Sequence, residues 1–201
     1  ELSSAAFSSH SGTLQRPVSM LSFALNRYFF GIAPYSHKVI NLLIHLLTGC
    51  ALFIFSRLLL SSYRQYRDPQ LSLSIETWLP VVVTGLWLVH PLNLSSVLYI
   101  VQRMTSLATL LYLMGMYFYV KARTADTRTL TAGYLALTGL AAVGACACKE
   151  NAVMLPISLF LYDLILIQPR LLRRWPHNLA LVLVPLSLMV LISWQLTDLD
   201  K

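Results

Sequence analysis

Apolar residues run through this chain in blocks of seventeen or more, interrupted by short polar stretches that carry most of the Arg and Lys. The blocks predict membrane spans over 39–60, 74–90, 104–120, 130–147, 151–167 and 178–194. Six spans of about 17 to 22 residues each suit a hydrocarbon core of about 30 Å. Ahead of them, Arg16-Pro17 opens a shorter pattern that stops at Gly31. Val18, Leu21, Leu25 and Phe29 recur there at helical spacing, with Ser19, Ser22 and Asn26 opposite. This predicts an amphipathic helix lying in the membrane interface. The expected fold is all-α, a polytopic membrane helix bundle of about six spans plus that interfacial helix. The expected domains are a non-cytoplasmic loop over 1–37 and a transmembrane core over 38–201.

Composition agrees: of 201 residues 57% are hydrophobic and 11% charged, and the mean hydropathy is +0.66. A net charge of +7 raises the question of nucleic acid, but no zinc-finger, RNP-like or basic-helix pattern occurs and the cations cluster in loops. No nucleic-acid partner is expected; the lipid bilayer is. Cys50, Cys146 and Cys148 lack the spacing of a zinc site and read as small packing residues. No metal ligand set is expected.

Charge also predicts orientation. Arg57, Arg64 and Arg67, then Lys121, Arg123 and Arg128, then Arg170, Arg173 and Arg174 fall on one side if the spans alternate. The positive-inside rule makes that side cytoplasmic. The Arg16-Pro17 helix, the stretch from His90 to Arg103 and the Lys149-Glu150-Asn151 turn then share the opposite, non-cytoplasmic face.

On that face, helical spacing from Leu94 onward would align Ser95, Tyr99 and Arg103. Arg103 either snorkels to headgroups or needs an anionic partner or a watery cavity. Asn41 and His45, four apart, make a polar stripe that reads as interhelical glue more readily than as a substrate contact. Arg16, Arg27, Arg103 and Lys149 would suit an anionic group such as a lipid phosphate, with His90 and Glu150 orienting it. No phosphate loop, nucleophile elbow or metal-binding helix is present.

Four segments carry a resemblance. They are Arg16-Pro17-Val18-Ser19-Met20-Leu21 with Asn41 and His45, His90-Pro91-Leu92, Val97-Leu98-Tyr99 with Gln102-Arg103, and Lys149-Glu150-Asn151 with Leu155-Pro156 and Tyr162-Asp163. In order and spacing, over 14–165, they resemble the membrane part of the transmembrane-and-tetratricopeptide-repeat O-mannosyltransferase-like proteins, bacterial branch. The resemblance implies a C-type glycosyltransferase that passes a sugar from a polyprenyl-phosphate donor to a hydroxyl of an acceptor protein. It places the active face in the periplasm of a bacterial inner membrane. It implies Arg103, Lys149, Glu150, His90 and Arg16 as donor-binding residues, a catalytic acidic pair before Glu1, and a repeat domain after Lys201. Beyond the lipid-linked sugar as donor substrate no cofactor is implied, and dependence on a divalent metal is left open. Where relatives carry His and Glu after His-Pro, this chain has Asn93 and Ser95, which leaves the sugar open. The alternative class is a non-enzymatic transporter or assembly scaffold.

Overall fold

The computed structural model describes residues 16–167. Every element within them is helical. In chain order these are α1 (Pro17–Phe30), α2 (Pro34–Tyr66), α3 (Leu73–Val89), the short α4 (Leu94–Leu98), α5 (Arg103–Arg123), α6 (Arg128–Cys146) and α7 (Leu155–Tyr162).

The punctuation follows from local chemistry. Pro17 and Pro34 each sit in a first helical turn, where the missing N–H costs nothing. Gly31, at φ 71°, ends α1 and returns its N–H to the Arg27 carbonyl. Ser72 caps α3 by accepting from the Ser74 N–H, and Thr127 caps α6 by accepting from the Leu130 N–H. His90 is extended before Pro91, as the proline ring demands, and this stops α3.

Polarity is arranged for lipid. Leu42, Leu43, Leu46 and Leu47 of α2 face outward, while Asn41, His45 and Thr48 are buried on the opposite side. In water the reverse would hold; in hydrocarbon polar side chains turn inward and bond to neighbouring elements. His45 donates through Nε2 to the Leu88 carbonyl at 3.1 Å and stacks on Trp87. Gly49 lets α3 come close: a Cβ there would lie 2.6 Å from Leu88 Cδ2. Helix α5 sits centrally, packed most extensively on α6 and then on α2. Its Met116 and Val120 form a core with Leu155 and Tyr162.

Two helices, Pro34–Tyr66 and Arg128–Cys146, are long and apolar enough to cross a membrane. Leu73–Val89 with Pro91–Leu98 forms a third candidate, bent by 53°. The expected six spans are thus not reached among the described residues. Hydroxyls, tyrosines and terminal charges dilute α5, and the expected fifth span is a 3-10 turn (Glu150–Met154), α7 and a π-helical turn (Asp163–Ile167). The expected sixth, 178–194, lies outside the described residues.

One further expectation is corrected. The stretch from Leu94 is not one helix: the chain is extended at Tyr99, with ψ 119°, and resumes through a 3-10 turn (Ile100–Gln102) into α5. Tyr99 is consequently exposed while Arg103 is buried. Helix α6, rich in Gly and Ala, buries one face only. Thr138, Ala141, Ala145 and Cys146 are inside, whereas Leu137, Leu140 and Val143 are exposed.

Opposite ends of the bundle are polar in different ways. At the C-terminal ends of α2 and α5, Arg64 pairs with Glu76 and Arg123 with Asp163. At the N-terminal end of α5 lie Arg16, Lys149 and Glu150. The 21 residues of α5 separate the two ends by about 30 Å, at about 1.5 Å per residue.

Candidate functional site

Helix α1 presents its polar side to the protein. Ser19 and Asn26 are buried, while Leu21, Leu25 and Phe29 are exposed, as an interfacial helix requires. The Ser19 hydroxyl donates to the Cys148 carbonyl at 3.2 Å and the Val18 N–H to the Ala147 carbonyl at 3.3 Å, so α1 lies against the turn after α6.

That docking brings Arg16, held at φ 48°, to Glu150. Arg16 Nη2 donates to Glu150 Oε2 at 3.1 Å and to Oε1 at 3.3 Å, and Nε donates to Oε1 at 3.3 Å. Burial alone would raise the Glu150 carboxyl; its own backbone N–H, the hydrogen bonds and charge of Arg16, and the charge of Lys149 outweigh this and hold it below the usual range. Lys149 Nζ donates to Thr105 Oγ1 at 2.8 Å, and Thr105 donates to Gln102 Oε1 at 3.0 Å. No carboxylate among the described residues forms an ion pair with Lys149. An ammonium has three donors, and the neutral Thr105 hydroxyl takes one of them.

Arg103, the first residue of α5, is 0% exposed. Its Nε donates to Asn41 Oδ1 at 2.8 Å, Nη1 to the Ser22 carbonyl at 3.2 Å, and Nη2 to Asn26 Oδ1 at 2.8 Å and the His37 carbonyl at 3.0 Å. Nη2 also lies 3.3 Å from His37 Nδ1, and the guanidinium stands 4.7 Å from the Phe23 ring centre. Asn41 in turn donates to the carbonyls of Tyr99 and Val97, satisfying backbone groups left open where the helix breaks. One cation thus ties α1, α2 and α5 together. The expectation of an anionic partner or watery cavity is corrected: the partners are neutral oxygens, a ring nitrogen and an aromatic face. A cation at a helix N-terminus is opposed by the helix dipole, so stabilising α5 does not explain its position.

Of the residues singled out from sequence, Arg16, Lys149 and Glu150 come together, while Arg103, next to Met104 in α5, is fully buried. His90 does not join them. It is exposed, and its Nδ1 accepts from the Leu92 N–H at 3.3 Å, capping the short turn that begins at Pro91. Arg27 is also exposed, on the last turn of α1. Thr105 and Met104, whose Sδ is 3.6 Å from Arg16 Nη1, went unnoticed in the sequence reading. Their position one step past Gln102-Arg103 was the available signal. Among the described residues no three His, Cys, Asp or Glu side chains converge as metal ligands would.

The chain is 28% identical over 197 residues to Protein O-mannosyl-transferase TMTC2 of Homo sapiens, a match spanning 92% of this chain and 21% of that protein. No family model matches. No solved structure matches either.

Proposed function

We propose that this chain is the membrane core of a glycosyltransferase that takes a sugar from a polyprenyl-phosphate donor and passes it to a protein hydroxyl on the non-cytoplasmic side. The observation that carries the reading is the surplus of positive charge at the N-terminal end of α5. Arg16 and Lys149 stand beside one carboxylate, Glu150, and Lys149 is in no ion pair among the described residues. The site adjoins an interfacial helix, at the depth of lipid phosphates. The similarity to a protein named as an O-mannosyl-transferase supports the reaction class, and the cations at the far ends of α2 and α5 support the sidedness. The order of the sequence segments favours a bacterial relative, with the site in the periplasm.

In this reading the acceptor oxygen attacks the anomeric carbon as its bond to the phosphate oxygen breaks. The departing phosphate keeps the electron pair, and Lys149 stabilises that charge, which grows only as the bond breaks. Glu150 is occupied by Arg16 and serves to aim it. The base that receives the acceptor proton lies outside the described residues. Arg103 is a positioning residue: it holds Asn26 and the Ser22 carbonyl, and through α1 it holds Arg16.

The test is sugar transfer by the full-length protein in membranes, with radiolabelled polyprenyl-phosphate mannose as probe. Lys149→Ala is expected to lower the rate by about 100-fold, the value of one charge-assisted contact of roughly 2 to 3 kcal/mol made in the transition state. Unchanged transfer by a folded Lys149→Ala protein would sink the assignment.

A further inference from the structure

A second group of cations lies at the opposite end of α2 and α5, beside a groove. Between these helices runs an apolar slot of about 390 Å³, walled by Leu47, Ala51 and Ile54 on one side and Leu110, Met114 and Phe118 on the other. It continues into a polar mouth of about 280 Å³ that holds Arg57, Ser61, Glu76 and Lys121, the two spaces sharing Ile54 and Tyr117 in their walls.

The cations at this end divide into two sets. Arg64 and Arg123 are paired, with Glu76 and Asp163 at 3.1 and 3.2 Å. Arg57 and Lys121, which line the mouth, are in no ion pair among the described residues. They rest instead over aromatic rings, Arg57 5.8 Å from the centre of Phe53 and Lys121 5.9 Å from that of Tyr117. The one carboxylate at the mouth, Glu76, is already held by Arg64. Two unpaired cations at the open end of an apolar slot complement an amphiphile with an anionic head.

Length narrows the class. From Leu47 to Arg57, and from Leu110 to Lys121, the slot follows ten or eleven residues of helix, about 15 to 17 Å. That is half of a hydrocarbon core of about 30 Å, the depth of one leaflet. We infer that the groove seats one anionic glycerophospholipid of the leaflet opposite the Arg16 site, with an acyl chain along the slot and its phosphate between Arg57 and Lys121. The assignment needs the membrane setting but not the transferase reaction.

The experiment is native mass spectrometry of the full-length protein, released from mild detergent after incubation with equimolar phosphatidylglycerol and phosphatidylcholine. The expected result is retained phosphatidylglycerol in the unaltered protein and about 30-fold less in Arg57→Gln/Lys121→Gln, two surface cations being lost. Ala51→Phe blocks the slot but keeps both cations, so it should lose the lipid too, and it decides the matter if the double variant does not fold. Arg27→Gln is the control and should retain it. Equal retention of both lipids, retention by a folded Ala51→Phe protein, or a maleimide at exposed Cys50 that reacts no faster after delipidation would each overturn the proposal. The last would mean that protein covers the slot.

Discussion

Replacing Arg103 tests whether this residue is a keystone or a ligand contact. It is fully buried, and its donors meet Asn41, Asn26, the Ser22 carbonyl and His37 across three elements. Arg103→Ala removes the charge, opens a cavity and strands the two Asn oxygens and two carbonyls away from water. Hydrogen bonds from a charged donor are worth about 1.5 to 3 kcal/mol each but do not add, and breaking one partner of a buried charged network costs about 3 to 5 kcal/mol. For a chain of this size that corresponds to a fall in Tm of roughly 6 to 20 °C. Arg103→Lys is the sharper variant. It keeps the positive charge but has a single nitrogen, which cannot span Asn41, Asn26 and Ser22 at once. It should lose most of the same stability, whereas a residue acting only by charge on a ligand would tolerate it. The assay is thermal melting in detergent, followed by near-ultraviolet circular dichroism or a thiol-reactive dye, with limited proteolysis reporting on α1. A Tm within about 2 °C of the unaltered protein for both variants would refute the keystone role.

Three further outcomes follow from the same contacts. The Glu150 carboxyl is held below its usual range, so the stabilisation by its pairing with Arg16 is fully present above the unfolded value of about 4.3 and is lost as pH falls through the lower folded value. Hydrogen exchange of the first turn of α1 should therefore quicken only in acid, and Arg16→Gln, which removes the hydrogen bonds and charge of Arg16 that help hold the carboxyl low, should move that onset to higher pH; an onset unmoved by Arg16→Gln would count against it. Gly49→Val should cost about 1 to 3 kcal/mol by overpacking, because its side chain would meet Leu88, whose carbonyl holds His45; a neutral Gly49→Val in a denaturation series would show that α2 and α3 are not in close contact. Asp163→Ala removes the partner of Arg123 and of the Tyr119 hydroxyl, which donates to it at 2.8 Å; it should lower the Tm without changing sugar transfer, and loss of transfer at unchanged Tm would contradict the placement of the site at the other end.

Much of the architecture could be read along the chain, because membrane helices advertise themselves by composition and proline and glycine mark their ends by local sterics. The α1 limits and the end of α3 before His90-Pro91 depend on nothing beyond a few neighbouring residues, whereas α2 begins at Pro34, five residues before the expected span. Alternation of the apolar runs put Arg16, Lys149 and Glu150 on one face as an expectation, but the pairing of Arg16 with Glu150, 134 residues away, is made by tertiary packing. The break at Tyr99 was not legible: its open carbonyls are satisfied by Asn41, 58 residues away, and no local pattern reports a partner so distant. The same holds for Arg103. Sequence could say that a cation among apolar neighbours must be compensated, but whether by a ligand, by lipid or by neutral oxygens of α1 and α2 is set by which surfaces meet. His90 was misplaced for the corresponding reason, since a residue bordering the site in sequence had the freedom to turn outward once its ring had capped the turn beside it. Periodicity determines which groups a helix can offer; only packing decides which of them are used up within the protein and which, like Lys149, remain outside any ion pair among the described residues.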